Sequence, residues 1–195
     1  MKKNVRYIFN MIALFTLTIA PLLSCSNDSG ELRKGLESMI GHEIIIPCKE
    51  LTPLIEKHSN IFNEEIDSTS YTYVSYLDVS ECSTCYFSKL NQWDEIQQIF
   101  ESHRIPLKIL VVIEPTGDSL IPLINGYESN GCQRPVFVDT DHVFRARNPF
   151  IPHDSRMHTF LLNPKHQVVF VGDPIRNRKI NKLQERLVKE LSHSH

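Results

Sequence analysis

The sequence contains too little glycine, proline and net positive charge for several classes of protein. Seven glycines and eleven prolines among 195 residues exclude collagen-like and low-complexity chains. Apolar residues make up 41% and charged residues 23%, which excludes a disordered chain and a polytopic membrane protein. Three of the 21 basic residues lie in the first 24 positions, so the rest of the chain holds 18 bases against 23 acids, a net charge of −5. Nucleic-acid-binding proteins are basic, and that class of partner is therefore excluded.

One long apolar run is present, and it lies at the N-terminus. Three bases come first, the apolar stretch follows, and it ends in Leu22-Leu23-Ser24-Cys25 before a polar segment. This order is typical of a secretory signal peptide. The Leu-Leu-Ser-Cys motif resembles the lipobox of bacterial lipoproteins, which implies that Cys25 is lipidated and that residues 1–24 are removed. The alternative is an uncleaved apolar anchor, because the stretch is close to spanning length.

Both interpretations predict that the folded part lies in the cell envelope, outside the cytoplasm, and is attached to a membrane. The predicted organisation is a signal peptide over residues 1–24, a tether over residues 25–39 and one domain over residues 40–195. The length of 195 residues allows a single domain of this size.

The cysteines are too few and too scattered for a zinc site. Cys82-Ser83-Thr84-Cys85 forms a CxxC pair, but no second CxxC and no neighbouring HxxxH pair supplies the other ligands. We therefore expect no metal and no cofactor. Disulfides persist outside the cytoplasm. Cys48 and Cys132 either pair with each other or remain two buried thiols, since connectivity cannot be derived from sequence.

The residues around the CxxC predict a strand followed by a helix. Residues 71–79 are rich in aromatic and β-branched side chains, with apolar residues on both faces, which indicates a central strand. After the CxxC, apolar residues recur at intervals of three or four and predict one helical face. That face consists of Phe87, Leu90, Trp93, Ile96, Ile99 and Phe100.

The rest of the chain continues the alternation of strands and helices. The patterns predict strands over residues 107–113 and 135–138, a short helix over 118–127, and a hairpin of residues 159–162 and 168–171. The last predicted helix has its apolar positions at Ile180, Leu183, Leu187 and Leu191. We therefore predict an α/β fold with a central mixed β-sheet flanked by helices.

A strand that ends at a CxxC, a βα crossover, the hairpin of residues 160–172 and a final helix resemble the thioredoxin superfamily. The chain is most similar to the membrane-tethered thiol–disulfide oxidoreductases of the TlpA/ResA kind and their redoxin-like relatives. The resemblance covers about residues 40–192 and implies a thioredoxin-like fold. It also implies exchange with the thiols and disulfides of exported proteins, and a membrane electron donor that recharges the pair.

The CxxC spacing suits disulfide exchange, which needs one thiolate to attack and a second thiol to release the mixed disulfide. A helix N-terminus stabilises a thiolate, so Cys82 is the predicted nucleophile and Cys85 the more buried resolving thiol. The alternative is a partner-binding module in which the Cys82–Cys85 disulfide is only structural. A peroxidase is disfavoured, because Val79 stands where that pattern has threonine or serine.

The chain departs from the family around the CxxC. Glu81 precedes the first cysteine instead of an aromatic residue, and its charge opposes the thiolate. Tyr76 stands where the family has a buried acid beneath the pair. Asp78 and Glu114 follow neighbouring strands, so either one replaces that acid as proton acceptor for Cys85, or both are plain polar residues at strand ends.

The loop that faces the CxxC in the family has no proline here. The family has a cis-proline before the first hairpin strand, whereas this chain reads Met157-His158-Thr159. Without proline a cis bond costs about 2.5–4 kcal/mol, so we expect a trans bond. His158 titrates near neutral pH and is a candidate to act on Cys82; the alternative is an ordinary exposed loop histidine.

Overall fold

The computed structural model describes residues 29–58, 69–78, 83–115, 117 and 120–193. The chain divides into two compact units, Met1–Glu37 and Ser38–His195. Helix α1, over residues 29–39, begins in the first unit. Among the residues described, no helix combines the length and the apolar character needed to cross a membrane. The predicted signal peptide and Cys25 lie outside these residues.

Six strands of the second unit form one mixed sheet, in the spatial order β1-β4-β3-β2-β5-β6. The strands are β1 (Thr52–Pro53), β2 (Tyr71–Leu77), β3 (Leu107–Ile113), β4 (Val136–Val138), β5 (Thr159–Leu162) and β6 (Val168–Val171). β2, β3 and β4 run parallel, whereas β1, β5 and β6 each run antiparallel to a neighbour. This confirms the predicted α/β fold with a mixed sheet, to which the structure adds β1.

β2 occupies the centre of the sheet for the reason that its sequence suggests. All seven of its residues are buried. The strand pairs with β3 on one side and with β5 on the other, so both of its edges and both of its faces are covered. Aromatic and β-branched side chains suit such a position, because they pack well on both sides of a pleated strand.

Helices of the second unit cover the sheet. They are α2 (Ser83–Phe87), α3 (Trp93–Ser102), α4 (Ile121–Ser129), α5 (Val143–Arg147) and α6 (Arg178–Ser192), with 3₁₀ turns at Leu90–Gln92 and Ser155–Met157. The helix predicted at 118–127 is therefore confirmed, with its end at Ser129. Pro122 is accommodated there because it lies in the first turn, where a missing N–H costs nothing.

The predicted continuous helix after the CxxC is wrong, because it is broken into α2 and α3. The Ser88 hydroxyl donates to the Cys85 carbonyl at 2.8 Å, a local bond that competes with helical bonding. The 3₁₀ turn between the two helices keeps the apolar face in line. Phe87, Leu90, Trp93, Ile96 and Phe100 are all buried, as predicted.

The predicted apolar face of α6 is also shifted. Leu183 is 49% exposed, whereas Gln184 and Val188 are fully buried. Gln184 and Val188 are four residues apart and so lie on one side of the helix. Periodicity did not identify this side, because the buried position 184 carries a polar residue.

A chain of polar side chains connects β2 to the helix that carries Cys85. Trp93 Nε1 donates to the Tyr86 hydroxyl at 2.7 Å, and this hydroxyl donates to Ser75 Oγ at 2.9 Å. Ser75 Oγ lies 3.3 Å from Thr159 Oγ1 on β5. Tyr86 is 2% exposed, so these bonds replace contacts with water and fix the residue next to Cys85.

The Tyr86→Phe variant is expected to lower the free energy of unfolding by about 1–3 kcal/mol, because the buried indole N–H of Trp93 loses its acceptor. Urea denaturation monitored by fluorescence measures the change. Tyr127→Phe is the matched control: its hydroxyl donates at 2.9 Å to the part-buried Arg134 carbonyl, so the expected cost is smaller, about 0.5–1.5 kcal/mol. An equal cost for the two variants would contradict a larger contribution to stability from the hydrogen bonds of the Tyr86 hydroxyl.

Candidate functional site

Three acidic residues directly follow the three parallel strands. Asp78 follows β2, Glu114 follows β3 and Asp139 follows β4. The backbone N–H of Glu114 donates to Leu77 O at 2.8 Å, and that of Asp139 donates to Ile113 O at 2.9 Å, so the strand ends are adjacent. α2, which carries Cys85, begins five residues after Asp78.

Cys85 lies in α2 and is disulfide-bonded. Cys48 and Cys132 are free thiols, so neither of them is its partner. The predicted partner and nucleophile, Cys82, lies outside the described residues. Cys85 is exposed, because α2 buries Tyr86 and Phe87 and the residue before them faces the solvent. That Cys85 is the more buried thiol of the pair stays a prediction, since the comparison needs Cys82.

Glu114 is one of two predicted proton acceptors, and the structure places it beside Tyr76. Its side chain is 5% exposed. The Tyr76 hydroxyl donates a short hydrogen bond to Glu114 Oε1. Burial, and next the contact with Glu114, raise the pKa of Tyr76 above its usual value, although Arg145 acts in the opposite direction. Tyr76 therefore keeps its proton at neutral pH. Because Tyr76 stands where the family has its buried acid, its hydrogen bond links that position to Glu114.

Asp78, the second predicted acceptor, lies in a different environment. Its Oδ2 is 3.8 Å from Arg145 Nη2 and 3.8 Å from His158 Nδ1. The permanent positive charge of the guanidinium favours the ionised carboxylate. Asp78 and Glu114 both contact other ionisable side chains; that either accepts the proton of Cys85 stays a prediction.

His158 is buried, with 1% of its surface exposed, so the interpretation as an exposed loop histidine is wrong. Its Nε2 lies 3.0 Å from Pro152 O and 3.2 Å from Arg145 Nη2. Arginine only donates hydrogen bonds and a carbonyl only accepts them, so the two contacts require opposite protonation of Nε2. The ring also packs edge-on against Tyr76, with centroids 5.4 Å apart. The contact predicted between His158 and Cys82 stays a prediction, because Cys82 lies outside the described residues.

The backbone of the loop before β5 is already hydrogen-bonded within the protein. The described residues contain no cis peptide bond, so the bond before His158 is trans, as expected. The Met157 N–H donates to Asp154 O at 2.9 Å, and the His158 N–H donates to Ser155 O at 3.1 Å. His158 O accepts from Tyr76 N at 2.9 Å. A substrate chain that paired with these groups would first have to displace these bonds.

Cys48 and Cys132 do not form the disulfide that the sequence left open. Cys132 is buried, with its Sγ 3.5 Å from Phe87 O, and Cys48 is half-buried. Burial raises the pKa of both thiols, so little reactive thiolate is present at neutral pH. Among the described residues, no group of three or more His, Cys, Asp and Glu side chains is arranged to hold a metal ion.

Sequence reasoning missed two residues of the site, His142 and Arg145. His142 Nδ1 lies 3.1 Å from Glu114 Oε1. Arg145 contacts Asp78 and His158 and lies over the Tyr76 ring, 5.6 Å from its centroid. A signal was available, since both residues follow a predicted strand that runs parallel to its neighbour. The loop after such a strand lies on the same edge as the CxxC.

Comparisons with known proteins identify the fold. No model of a protein family matches the chain, and neither does any curated protein. A solved structure from Chlorobium tepidum, put forward as a thiol:disulfide interchange protein DsbE, has a TM-score of 0.50 at 12% identity and covers 77% of this chain and 96% of its own. An uncharacterized thioredoxin-like protein from Porphyromonas gingivalis has a TM-score of 0.48 at 17% identity, with 74% and 92% covered. The similarity to the first structure confirms the predicted thioredoxin-like fold.

Proposed function

We propose that the protein is a thiol–disulfide oxidoreductase that uses Cys82 as nucleophile and Cys85 as resolving thiol. The observation that carries the proposal is the disulfide-bonded Cys85 in α2, which follows the central strand at the edge where buried ionisable groups collect. A structural disulfide needs no such groups, whereas disulfide exchange requires thiols to lose and regain protons. The similarity to a structure put forward as a thiol:disulfide interchange protein gives further support.

The proposed reaction consists of two exchanges. The thiolate of reduced Cys82 attacks a substrate disulfide, which forms a mixed disulfide and releases one substrate thiolate. Cys85 then loses its proton and attacks the sulfur of Cys82, which forms the Cys82–Cys85 disulfide and releases the second substrate thiolate. The substrate gains two electrons and the protein loses two. A membrane electron donor returns these two electrons, and one proton returns to Cys85, which restores the Cys82 thiolate and the Cys85 thiol.

Glu114 is the better of the two proton acceptors for Cys85. Its contacts with Tyr76 and His142 involve a neutral hydroxyl and an imidazole. Asp78 lies 3.8 Å from a guanidinium, which stabilises its negative charge and opposes the uptake of a proton. Cys85 is exposed and Glu114 is buried, so we expect the proton to reach the carboxylate through water.

The proposal extends to location and partners. The lipobox-like motif supports a lipid anchor at Cys25 and a place in the cell envelope. There the substrates are the thiols and disulfides of exported proteins. The hydrogen-bonded backbone at Met157 and His158 favours recognition through side chains rather than through pairing with a substrate strand.

The reduction potential of the pair tests the proposal. Structural disulfides in secreted proteins lie below about −300 mV, and exposed or catalytic ones lie higher. Because Cys85 is exposed, we expect a value above about −300 mV from equilibration with glutathione buffers, followed by mass spectrometry of alkylated thiols. The Cys48→Ser/Cys132→Ser variant is the control that restricts the measurement to the pair. A lower value would instead favour the partner-binding module with a structural disulfide.

A further inference from the structure

A buried carboxylate and an exposed imidazole are in contact at the carboxyl edge of the sheet. The side chain of Glu114 is 5% exposed, that of His142 is 60% exposed, and Nδ1 of the histidine lies 3.1 Å from Oε1 of the glutamate. We propose that His142 relays the proton of Cys85 from Glu114 to the solvent. The proposal rests on the proposed function, in which Glu114 accepts that proton.

The two contacts of Glu114 have different capacities to move a proton. Tyr76 and His142 both meet Oε1. Tyr76 is buried, and its raised pKa means that it retains its own proton at neutral pH. An imidazole gains and loses protons near neutral pH, and most of this ring is in contact with water. His142 is therefore the side chain that connects the buried carboxylate to the solvent.

The backbone holds the imidazole in this place. His142 has a φ of 55°, in the left-handed region that non-glycine residues seldom adopt. The next two N–H groups, of Val143 and Phe144, donate to the Asp139 carboxylate at 2.9 and 2.8 Å. These bonds fix the start of α5 against the end of β4.

The titratable and charged groups around the pair come from β2, the end of β4, α5 and the loop before β5. Tyr76 faces Glu114 from β2, and Asp78 follows the same strand. Asp139, at the end of β4, accepts hydrogen bonds from the N–H groups of α5. Arg145, on α5, lies over the Tyr76 ring and contacts Asp78. His158, in the loop before β5, contacts Arg145. Among these groups, His142 is the exposed imidazole.

The proton balance of the relay is simple. The Cys85 thiol transfers its proton to the ionised Glu114, which leaves a thiolate and a neutral carboxyl group. The carboxyl group donates this proton to Nδ1 of neutral His142, and the resulting imidazolium releases the proton on Nε2 to water. The carboxylate is thereby restored, and one proton has moved from the thiol to the solvent.

The experiment follows the reaction of the reduced protein with 5,5′-dithiobis(2-nitrobenzoic acid), which releases one coloured thiolate at each step. The first release reports attack by the nucleophilic cysteine, and the second reports resolution by Cys85. His142→Asn removes the titratable ring, while asparagine tolerates a positive φ. At low buffer concentration we expect the second release to slow at least about tenfold and the first to keep its rate. Added imidazole should restore the second rate in this variant and leave the wild type unchanged.

His166→Asn is the matched control. His166 also has a positive φ, 59°, but it lies in the turn between β5 and β6, at the opposite edge of the sheet. We expect both releases to keep their wild-type rates. An unchanged second release in His142→Asn, or a slow one that imidazole does not restore, would overturn the relay. A wild-type protein that shows no second release would instead overturn the proposed function.

Discussion

The Cys85→Ser variant is expected to lose catalytic turnover completely and to accumulate as mixed disulfides with its substrates. Serine cannot attack the sulfur of Cys82, so the intermediate of the first exchange has no route to the second. Cys85 is exposed in α2, and its replacement by the similar serine leaves the buried residues Tyr86 and Phe87 in place. Non-reducing electrophoresis with mass spectrometry of the adducts measures the outcome and identifies the partners.

The control for this experiment is Cys132→Ser. Cys132 is a free thiol that is 3% exposed and packs against Phe87. Burial raises its pKa, so it supplies little thiolate. We expect normal turnover and no trapped adducts, with some loss of stability from a buried hydroxyl. Turnover that survives in Cys85→Ser, or adducts that form equally in the control, would contradict the assignment of Cys85 as resolving thiol.

The parts of the fold that the sequence predicted are those in which one face of an element is apolar throughout. β2 is rich in aromatic and β-branched residues, β3 is a nearly continuous apolar run, and the face of α2 and α3 has a regular helical spacing. Periodicity reports burial well in such elements. It failed in α6, where the buried position 184 is a glutamine and Leu183 is half exposed. One polar residue at the centre of a buried face is enough to place the predicted apolar face on the wrong side of the helix.

The candidate site was predicted only in part, because its contacts depend on tertiary structure. Glu114 and Asp78 could be identified from the strand ends that they follow. The contact between Arg145 and His158 could not, since it joins α5 to the loop before β5, thirteen residues later. The burial of His158 follows from that contact and from Pro152 O. No local pattern in the sequence reports a histidine that is buried against an arginine.

The Glu114→Gln variant is expected to slow the resolution of the mixed disulfide by about 10²–10⁴, the usual contribution of a positioned general base. Glutamine is similar in size and still accepts the hydrogen bond from the Tyr76 hydroxyl, so the fold is preserved while the capacity to take a proton is lost. Stopped-flow measurement of the second thiolate release gives the rate. The first thiolate release, which does not use Glu114, should keep its wild-type rate.

Asp78→Asn decides between the two acceptors that the sequence left open. Asp78 lies 3.8 Å from the Arg145 guanidinium, so its charge balances a permanent cation, and its loss should disturb Arg145 and His158 more than the proton transfer. We expect the second release to slow less than in Glu114→Gln. If Asp78→Asn were the slower variant, Asp78 would be the acceptor. The relay through His142 would then have no proton to carry, because His142 contacts Glu114.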